Sequence, residues 1–309
     1  MSRAVIYEKF GGPDVLELRE VAEPHAGPGQ VRIAVKAAGL NPMDWLISST
    51  PQVAGMFGVS VPAGFGYDFA GVVDEVGPGV EGFAAGDRVF GGAMAKAVAD
   101  FAIVSVPSTS VDALFHTPEG LSDQLASAVP TPGMTAAAAL ETIDLRAGQT
   151  VLIGGASGGV GVFAVQLAKL AGARVIGTAS PSTFDFLREL GAEPVAYGPG
   201  LADRVRELAP GGIAAATDLF GTEAAEAALE LGVPAERIST IAAGPNPPGG
   251  VRATGGAEAS PEALGRITGA IIDGTITVPI AATFPMEQVR AAVELQAGRH
   301  VHGKVLIVM

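Results

Sequence analysis

The chain has 309 residues, of which 48% are hydrophobic and 17% charged, and it carries a formal net charge of -13 with no cysteine. This length is sufficient for about two globular domains of roughly 150 residues each. The acidic balance disfavours nucleic acid and anionic membrane surfaces as partners. The lack of cysteine excludes disulfides, thiolate zinc sites, iron–sulfur clusters and cysteine nucleophiles. With no apolar run of about 18 residues and no recognisable secretory signal, we expect a cytoplasmic protein.

Up to about residue 118, the chain consists of short β-like runs bounded by Gly, Pro, Asn or Asp, residues that favour turns. The turns at residues 11–14 (GGPD) and 77–79 (GPG) join alternating runs at hairpin distance, which favours antiparallel pairing. The predicted strands are 4–7, 15–20, 30–38, 69–76, 87–90 and 101–106. This part therefore predicts a mainly antiparallel β domain.

From about residue 119, helical spacing of apolar residues appears at 122–128 and 135–142. Strand-like and helix-like runs then alternate up to about residue 242, which predicts a doubly wound parallel sheet. A helix at 261–273 leads out of this domain. In the tail we expect a strand at 275–279, a helix at 286–296 and a strand at 304–308 that rejoins the first sheet.

A glycine-rich segment, residues 154–161 (GGASGGVG), follows a continuous apolar run and precedes a helical pattern. Against the GxGxxG fingerprint, Ala156 takes the first glycine position, and Gly158 and Gly161 take the second and third. The second glycine lets the main chain approach a pyrophosphate, and the third lets the helix pack closely on the strand. Helix N–H groups and the helix dipole also attract phosphates. The turn therefore predicts a nicotinamide dinucleotide site.

The same residues also satisfy the GxSxG nucleophile elbow, which predicts a serine hydrolase instead. Chain order permits a triad in which Ser157 is followed by Asp218 or Asp273 and then by His300. Against this alternative, the preceding half of the chain is antiparallel in pattern, no HGGG-like oxyanion segment occurs, and the elbow does not require Gly161.

The second strand of the predicted parallel sheet ends at residues 178–180 (TAS), where an NAD-selective site usually presents Asp or Glu to the ribose. Ser180, Ser182 and Thr183 supply hydroxyls there, although each is equally typical of a helix N-cap. These features favour NADPH, with NADH as the second choice. Because residues 175–187 contain no Arg or Lys, the cation for the 2′-phosphate must come from elsewhere.

Five motifs in order, at residues 39–45 (GLNPMDW), 66–73 (GYDFAGVV), 86–90 (GDRVF), 156–161 (ASGGVG) and 303–306 (GKVL), resemble the zinc-independent quinone oxidoreductase branch of the medium-chain dehydrogenase/reductase superfamily, the zeta-crystallin-like proteins. The resemblance implies an α/β fold with a GroES-like, mainly antiparallel catalytic domain at 1–120 and 262–309 and a Rossmann domain at 121–261. It also implies a homodimer that transfers hydride from NADPH to a quinone or an activated C=C bond in the cleft between its domains, without zinc.

Carried over by position, the resemblance assigns the following cofactor contacts: Ser157, Gly158, Gly159 and Val160 to the pyrophosphate, Thr135 to the nicotinamide, Ser180 and Tyr197 to the 2′-phosphate, Phe220, Ala242 and Ala243 to the two ends of the dinucleotide, and Arg299 and Lys304 as basic residues of the tail. Ser182 departs from the family, because many relatives have Arg or Lys there. Residues 232–237 also depart from the usual glycine-rich lead into the fifth strand.

Hydride transfer to a quinone needs positioning and charge stabilisation more than a strong acid. Tyr67, whose phenol can donate to an oxyanion, and Asn41 are the catalytic candidates, and Asp44 and Trp45 are candidates for substrate binding. Each has a structural alternative: packing for Tyr67 and Trp45, a turn for Asn41, and capping of a helix beginning at Trp45 for Asp44.

The pair His300 and His302 lacks a third metal ligand in the sequence and is more typical of a solvated turn. Three further functions stay open at this point. They are an enoyl reductase of a biosynthetic pathway, the serine hydrolase, and a non-catalytic NADPH-binding protein, because a fold keeps its cofactor site when activity is lost.

Overall fold

The structure is a computed structural model that describes residues 1–244 and 246–309. The chain forms two compact units, here called unit 1 (Met1–Thr131 and Ile280–Met309) and unit 2 (Pro132–Pro279). The sequence placed the changes at residues 120/121 and 261/262 instead. Residues 121–131 belong to unit 1 because their helix packs on four strands of its large sheet. The segment before residue 280 belongs to unit 2, where Thr277 donates to and accepts from the amide of Gln166.

The strands are β1 (Ser2–Tyr7), β2 (Glu17–Val21), β3 (Gln30–Leu40), β4 (Ala63–Gly64), β5 (Asp68–Val76), β6 (Arg88–Ala93), β7 (Phe101–Ser105), β8 (Asp112–His116), β9 (Thr150–Gly154), β10 (Arg174–Ala179), β11 (Glu193–Ala196), β12 (Ala215–Asp218), β13 (Ile238–Thr240), β14 (Arg252–Ala253), β15 (Ile280–Pro285) and β16 (Lys304–Val308). The α-helices are α1 (Pro42–Ser49), α2 (Pro51–Met56), α3 (Asp123–Ser127), α4 (Pro130–Thr142), α5 (Gly161–Leu170), α6 (Phe184–Glu189), α7 (Leu201–Leu208), α8 (Glu223–Glu230), α9 (Ala263–Ile272) and α10 (Val289–Ala297).

Unit 1 contains a small sheet, β2-β1-β4, and a large sheet in the order β15-β16-β3-β5-β6-β8, with β7 also paired to β3. The pairs are antiparallel except for β15 with β16, which confirms the predicted antiparallel domain. Along β3, Val31, Ile33 and Val35 are buried and alternate with more exposed residues, as expected for a strand with one face on the core.

Unit 2 contains a parallel sheet in the order β11-β10-β9-β12-β13-β14. This order reverses direction at β9, which confirms the doubly wound topology, and places the carboxyl end of β9 at the switch point where such sheets bind ligands. Val151, Leu152 and Ile153 of β9 are each 0% exposed. The continuous apolar run in the sequence therefore corresponds to a central strand covered on both faces.

The C-terminal tail differs in part from its sequence prediction. The predicted strand at 275–279 is wrong, because the strand is β15 at Ile280–Pro285. The last strand, β16, pairs antiparallel with β3, so the prediction that the tail rejoins the first sheet is confirmed. Throughout residues 1–244 and 246–309, no helix is long and apolar enough to cross a membrane.

Candidate functional site

The glycine-rich turn connects β9 to α5 in unit 2 and is tied to the neighbouring strand β10. Gly155 has φ +68°, a left-handed conformation that favours glycine, and its N–H donates to Thr178 Oγ1 at 3.0 Å. The N–H of Ala156 donates to the carbonyl oxygen of Thr178 at 3.3 Å. Thr178, on β10, therefore fixes the start of the turn through both its main chain and its side chain.

The glycines at the second and third fingerprint positions meet different surroundings. A Cβ on Gly161 would lie 2.3 Å from the carbonyl oxygen of Gly155 and 2.5 Å from the carbonyl carbon of Ala156, so a side chain there collides with the main chain. A Cβ on Gly158 would lie 3.4 Å from the nearest atom, the Gly155 oxygen, which is an ordinary contact. The packing of the protein therefore requires glycine at position 161. At position 158 the fold would accept a side chain, so the glycine there is not explained by packing and leaves the main chain open to a ligand.

Four main-chain N–H groups of the turn, those of Ser157, Gly159, Val160 and Gly161, donate to no residue that the structure describes. They lie at or just before the first residue of α5, where unpaired N–H groups and the helix dipole attract an anion. The residues present therefore fit the pyrophosphate of a dinucleotide, for which they offer donors and an open approach at Gly158.

Ser157 lies within this turn and is half-buried, and its hydroxyl makes no hydrogen bond to a described residue. In a nucleophile elbow, the serine would instead be near a histidine that removes its proton. Asp218 is not available as the acid of a triad either. Its oxygens accept the N–H groups of Phe220 (3.0 Å) and Ala224 (2.8 Å), among others, and so hold the loop that leads into α8.

The end of β10 carries a cluster of three hydroxyls and no carboxylate. Ser180 Oγ lies 2.9 Å from Ser182 Oγ and 2.8 Å from Thr183 Oγ1. Next to β10 in the sheet, β11 ends just before Tyr197, whose side chain is 58% exposed. An exposed aromatic ring beside a hydroxyl cluster is a suitable surface for an adenosine and its phosphate.

The remaining predicted cofactor residues of unit 2 lie at or near the carboxyl ends of β12 and β13, except Thr135. Phe220, after β12, is 57% exposed. The N–H groups of Ala242 and Ala243 donate to Thr240 Oγ1 at 3.3 and 3.2 Å, which closes the turn after β13. Thr135 lies on α4 and is 9% exposed. The structure thus brings Ser157, Phe220 and the Ala242–Ala243 turn to one edge of the sheet.

Unit 1 contains five hydrogen-bonded polar residues, here called the buried polar cluster: Asn41, Asp44, Asp68, Thr131 and Lys304. Lys304 Nζ, with the residue 2% exposed, donates to Asn41 Oδ1 at 2.6 Å and to the carbonyl oxygen of Leu40 at 2.7 Å. Asn41 Nδ2 donates to Asp68 Oδ2 at 2.8 Å. Asn41 therefore links an ammonium group to a carboxylate inside the protein.

Asp68 is fully buried and is also held by Thr131, whose hydroxyl donates to Asp68 Oδ1 at 2.7 Å and whose N–H donates at 3.1 Å. Burial raises the pKa of Asp68 to about 6, against the lowering effects of Lys304, Asn41 and Thr131. Burial lowers the pKa of Lys304, against the raising effect of the two carboxylates. Sequence analysis did not identify Asp68 as a site residue. The only signal for it was the presence of an acidic residue within the otherwise mainly apolar motif at residues 66–73.

Asp44 is 5% exposed and accepts the N–H of Asn41 at 2.7 Å. Burial raises its pKa to about 7, and Asp68 raises it further, while hydrogen bonds and Lys304 lower it. The helix it caps, α1, begins at Pro42. The alternative of a helix starting at Trp45 was therefore wrong about the start, and Asp44 occupies the third helical position, from which it reaches back to residue 41.

Tyr67 precedes β5 and packs its ring on β6, where Gly92 leaves room for it. A Cβ on Gly92 would lie 2.2 Å from Tyr67 Cζ. Burial raises the pKa of Tyr67 to about 12, so the phenol keeps its proton at neutral pH and can donate it in a hydrogen bond.

Arg299 lies with its guanidinium carbon 5.8 Å from the centre of the Trp45 ring, a cation–π distance within unit 1.

The described residues include no group of three or more His, Asp or Glu side chains that could hold a metal ion.

Residues 27–105 match the family model of the alcohol dehydrogenase GroES-like domain, and residues 159–258 match that of the zinc-binding dehydrogenase. A quinone oxidoreductase from Pseudomonas aeruginosa is 33% identical over 99% of this chain and 100% of its own length. This chain belongs to the quinone oxidoreductase branch of the medium-chain dehydrogenase/reductase superfamily.

Solved structures are similar over the whole chain. A mycobacterial protein complexed with NADPH has a TM-score of 0.83 at 26% identity and covers 100% of both chains. The CurK enoyl reductase has a TM-score of 0.85 at 25% identity and covers 100% of this chain and 99% of its own. As a quinone oxidoreductase family member, the chain is an NAD(P)-dependent oxidoreductase with a GroES-like domain and a Rossmann domain.

Proposed function

We propose that this oxidoreductase uses NADPH to reduce a quinone or an activated C=C bond, and that it does so without zinc. The observation that carries the cofactor choice is the end of β10, where the Ser180 hydroxyl lies 2.9 Å from that of Ser182 and 2.8 Å from that of Thr183, and no carboxylate repels a 2′-phosphate. The likeness to a mycobacterial protein complexed with NADPH supports the same choice.

The proposed pyrophosphate site consists of the N–H groups of Gly159 and Val160 with the bare main chain at Gly158. When bound there, NADPH would supply the hydride. The protein's own contribution is to orient the dinucleotide on a rigid turn, which Thr178 fixes through two hydrogen bonds. Phe220 and Tyr197 present exposed rings for stacking, and Ser157 adds a free hydroxyl beside the phosphates.

In unit 1, we assign Tyr67 the role of hydrogen-bond donor to the oxyanion that forms as a quinone or enone accepts hydride. Asn41 is less suited to touch substrate, because its amide already bridges Lys304 and Asp68 and it is 3% exposed. We propose that Asn41 is a positioning residue. Asp44 is a second one, because its carboxylate accepts the N–H of Asn41 and so holds the main chain before α1.

The proposal of zinc independence rests on the chemistry of the available donors. The chain has no cysteine, and the oxygens of Asn41 and Asp68 already bind the buried Lys304 ammonium or its amide partner. Zinc prefers sulfur and imidazole ligands, which this cluster lacks. We therefore expect that prolonged dialysis against a strong chelator leaves turnover unchanged, and loss of activity that zinc alone restores would overturn this part.

The main experiment follows oxidation of NADPH and of NADH with a panel of quinones, α,β-unsaturated ketones and enoyl thioesters. We expect turnover with NADPH and at least one quinone or enone. The likeness to the CurK enoyl reductase favours a second candidate, enoyl thioester reduction. Turnover of thioesters with none of the quinones would establish that candidate in place of the first, and absence of binding of either cofactor by titration would refute both.

A matched pair of variants tests the cofactor site itself. Gly158→Val places a branched side chain where the main chain should approach the pyrophosphate, and we expect loss of NADPH binding with a normal circular dichroism spectrum. Gly265→Val is the control, because a Cβ at Gly265 of α9 would meet no atom within 4 Å. If both variants bind NADPH equally well, the turn does not hold the cofactor.

A further inference from the structure

The hydroxyl cluster after β10 lacks the positive charge that a doubly charged 2′-phosphate requires. Residues 175–187 contain no Lys or Arg, and hydroxyls alone give weaker hydrogen bonds to phosphate than charged donors do. Lys304, one of the two tail residues expected to supply the charge, donates its hydrogen bonds inside the buried polar cluster of unit 1. A cation within unit 2 is therefore the simpler source.

Arg204, on α7, lies against the turn that follows β11. Its Nε and Nη2 donate to the carbonyl oxygen of Ala196 at 3.0 and 2.9 Å, and Nη2 also donates to Gly198 at 2.7 Å. Its Nη1 donates to the carbonyl oxygen of Pro199 at 2.8 Å. These four bonds fix the guanidinium and use four of its five N–H groups, which leaves one N–H on Nη1 for a ligand.

This turn is next to the hydroxyl cluster across the sheet. Ala196 is the last residue of β11, and its register partner on β10 is Ala179, the residue before Ser180. Parallel neighbouring strands are about 4.8 Å apart, so the segments that leave the two strands begin side by side. A phosphate bound to the hydroxyls of Ser180 and Ser182 would therefore lie near the carbonyl groups to which Arg204 donates its hydrogen bonds.

The charge of Arg204 is not neutralised by the protein. Within the described part of the chain, no carboxylate oxygen lies within 4 Å of the Arg204 guanidinium, whereas Arg206 on the same helix pairs with Asp203, and Arg174 pairs with Glu193. Glu223 is the acidic residue that shares a partner with Arg204: its carboxylate accepts the N–H of Gly198, whose carbonyl oxygen accepts from Arg204. An unpaired guanidinium in a protein of net charge -13 is a natural anion site.

Two other cations of unit 2 lack a carboxylate within 4 Å among the described residues, and their positions are less suitable. The side-chain carbons of Lys169 lie 3.4 Å from the position that a Cβ on Gly191 would take. This position is away from the carboxyl ends of the strands. Arg252 is on β14, at the opposite edge of the sheet from β11, and donates to the carbonyl oxygen of Thr142.

We propose that Arg204 is the specificity-determining cation for the 2′-phosphate and compensates for Ser182. The inference rests on the proposed function, since it concerns the NADPH site of that reaction. Arg204 contributes a fixed positive charge and one N–H donor, and the Ser180, Ser182 and Thr183 hydroxyls contribute the remaining contacts. The Glu223 carboxylate, which accepts the N–H of Gly198 on the same turn, opposes the 2′-phosphate and limits the preference for NADPH over NADH.

The test measures the dissociation constants of NADPH and NADH for the wild-type protein and for Arg204→Gln, Arg204→Lys and the control Arg206→Gln. We expect Arg204→Gln to weaken NADPH binding by about tenfold or more while NADH changes less than about twofold. Arg204→Lys should retain part of the preference, and Arg206→Gln should change neither constant. Equal weakening of both cofactors, or no change in either, would overturn the proposal and assign Arg204 a structural role.

A second variant keeps the test decisive if Arg204→Gln does not fold. Glu223→Gln removes the opposing charge and leaves an oxygen to accept the Gly198 N–H, so NADPH binding should tighten by a few-fold while NADH is unaffected. An unchanged ratio would count against Arg204. Failure of the proposed function is distinguishable, because in that case the wild-type protein binds NADH alone or neither cofactor.

Discussion

In unit 2, the glycine-rich turn offers main-chain N–H groups and carries no charged side chain, whereas in unit 1 the buried polar cluster encloses three ionisable residues that are joined to one another through Asn41. The N–H groups of Gly159 and Val160 have no partner in the described residues. In the buried polar cluster, by contrast, the side chain of Asn41 accepts a hydrogen bond from Lys304 at 2.6 Å and donates one to Asp68 at 2.8 Å. Open donors are suited to bind a ligand, and satisfied buried charges are suited to hold the main chain in place.

The comparison predicts the largest effect for the buried cation. Lys304→Met removes the ammonium group and leaves the carboxylates of Asp44 and Asp68 without it, so we expect a loss of about 3–5 kcal/mol in the free energy of unfolding, measured with urea. Lys36→Met, at an exposed position of β3, is the control and should change stability by less than about 0.5 kcal/mol. Adding Asp68→Asn to Lys304→Met should restore part of the loss. Similar stabilities of Lys304→Met and the control would mean that the cluster is not a charge-compensated unit.

A smaller effect is predicted at the third glycine of the turn. Gly161→Ala places a Cβ 2.3 Å from the Gly155 carbonyl oxygen, and we expect a loss of about 1–3 kcal/mol in the free energy of unfolding. Gly158→Ala, whose Cβ has 3.4 Å of clearance, should leave stability nearly unchanged. Thermal unfolding of the two variants gives the comparison. Equal destabilisation would remove the distinction between a glycine needed for the fold and one needed for the ligand.

The two regions also differ in how far the sequence could predict them. The turn at 154–161 follows from a local pattern, because its strand, glycines and helix are contiguous, and both the parallel sheet and the returning strand β16 are confirmed. The buried polar cluster is built from four distant segments, at residues 41–44, 68, 131 and 304. No spacing rule links an amide, two carboxylates and an ammonium so far apart, so the role of Asp68 became visible only from the fold.

Two further differences between the sequence predictions and the structure also arise from contacts between distant segments. The strand predicted at 275–279 lies instead at Ile280–Pro285, since pairing with β16 decides where a strand forms and local pattern does not. Arg204 gave no motif in the sequence, because its charge acquires meaning only from the carbonyls it binds after β11. The roles of the cofactor contacts, by comparison, stay predictions that binding measurements must test.

A third prediction concerns pH and separates Asp44 from the rest of its cluster. Its pKa is raised from 3.8 to about 7, so the folded protein holds this proton more tightly than the unfolded chain does. The resulting stabilisation is present below about pH 4 and is lost as pH rises towards 7. Asp44→Asn cannot ionise, so its free energy of unfolding should fall less over that window than that of the wild type, by on the order of 1–2 kcal/mol. Parallel profiles of the two proteins would show that Asp44 titrates normally.

The smallest effect is expected at Tyr67, which lies outside the buried polar cluster. If its phenol donates to a developing oxyanion, Tyr67→Phe should lower kcat by about tenfold with little change in KM, because the hydrogen bond strengthens only as charge forms. Stability should change little, since the ring still packs on Gly92. Gly92→Ala is the complementary variant, because its Cβ would lie 2.2 Å from Tyr67 Cζ and displace the ring. Gly92→Ala should therefore lower kcat at least as much as Tyr67→Phe does, and the double variant should be no slower than Gly92→Ala alone. A wild-type kcat for Tyr67→Phe would leave Tyr67 with a packing role and place charge stabilisation elsewhere.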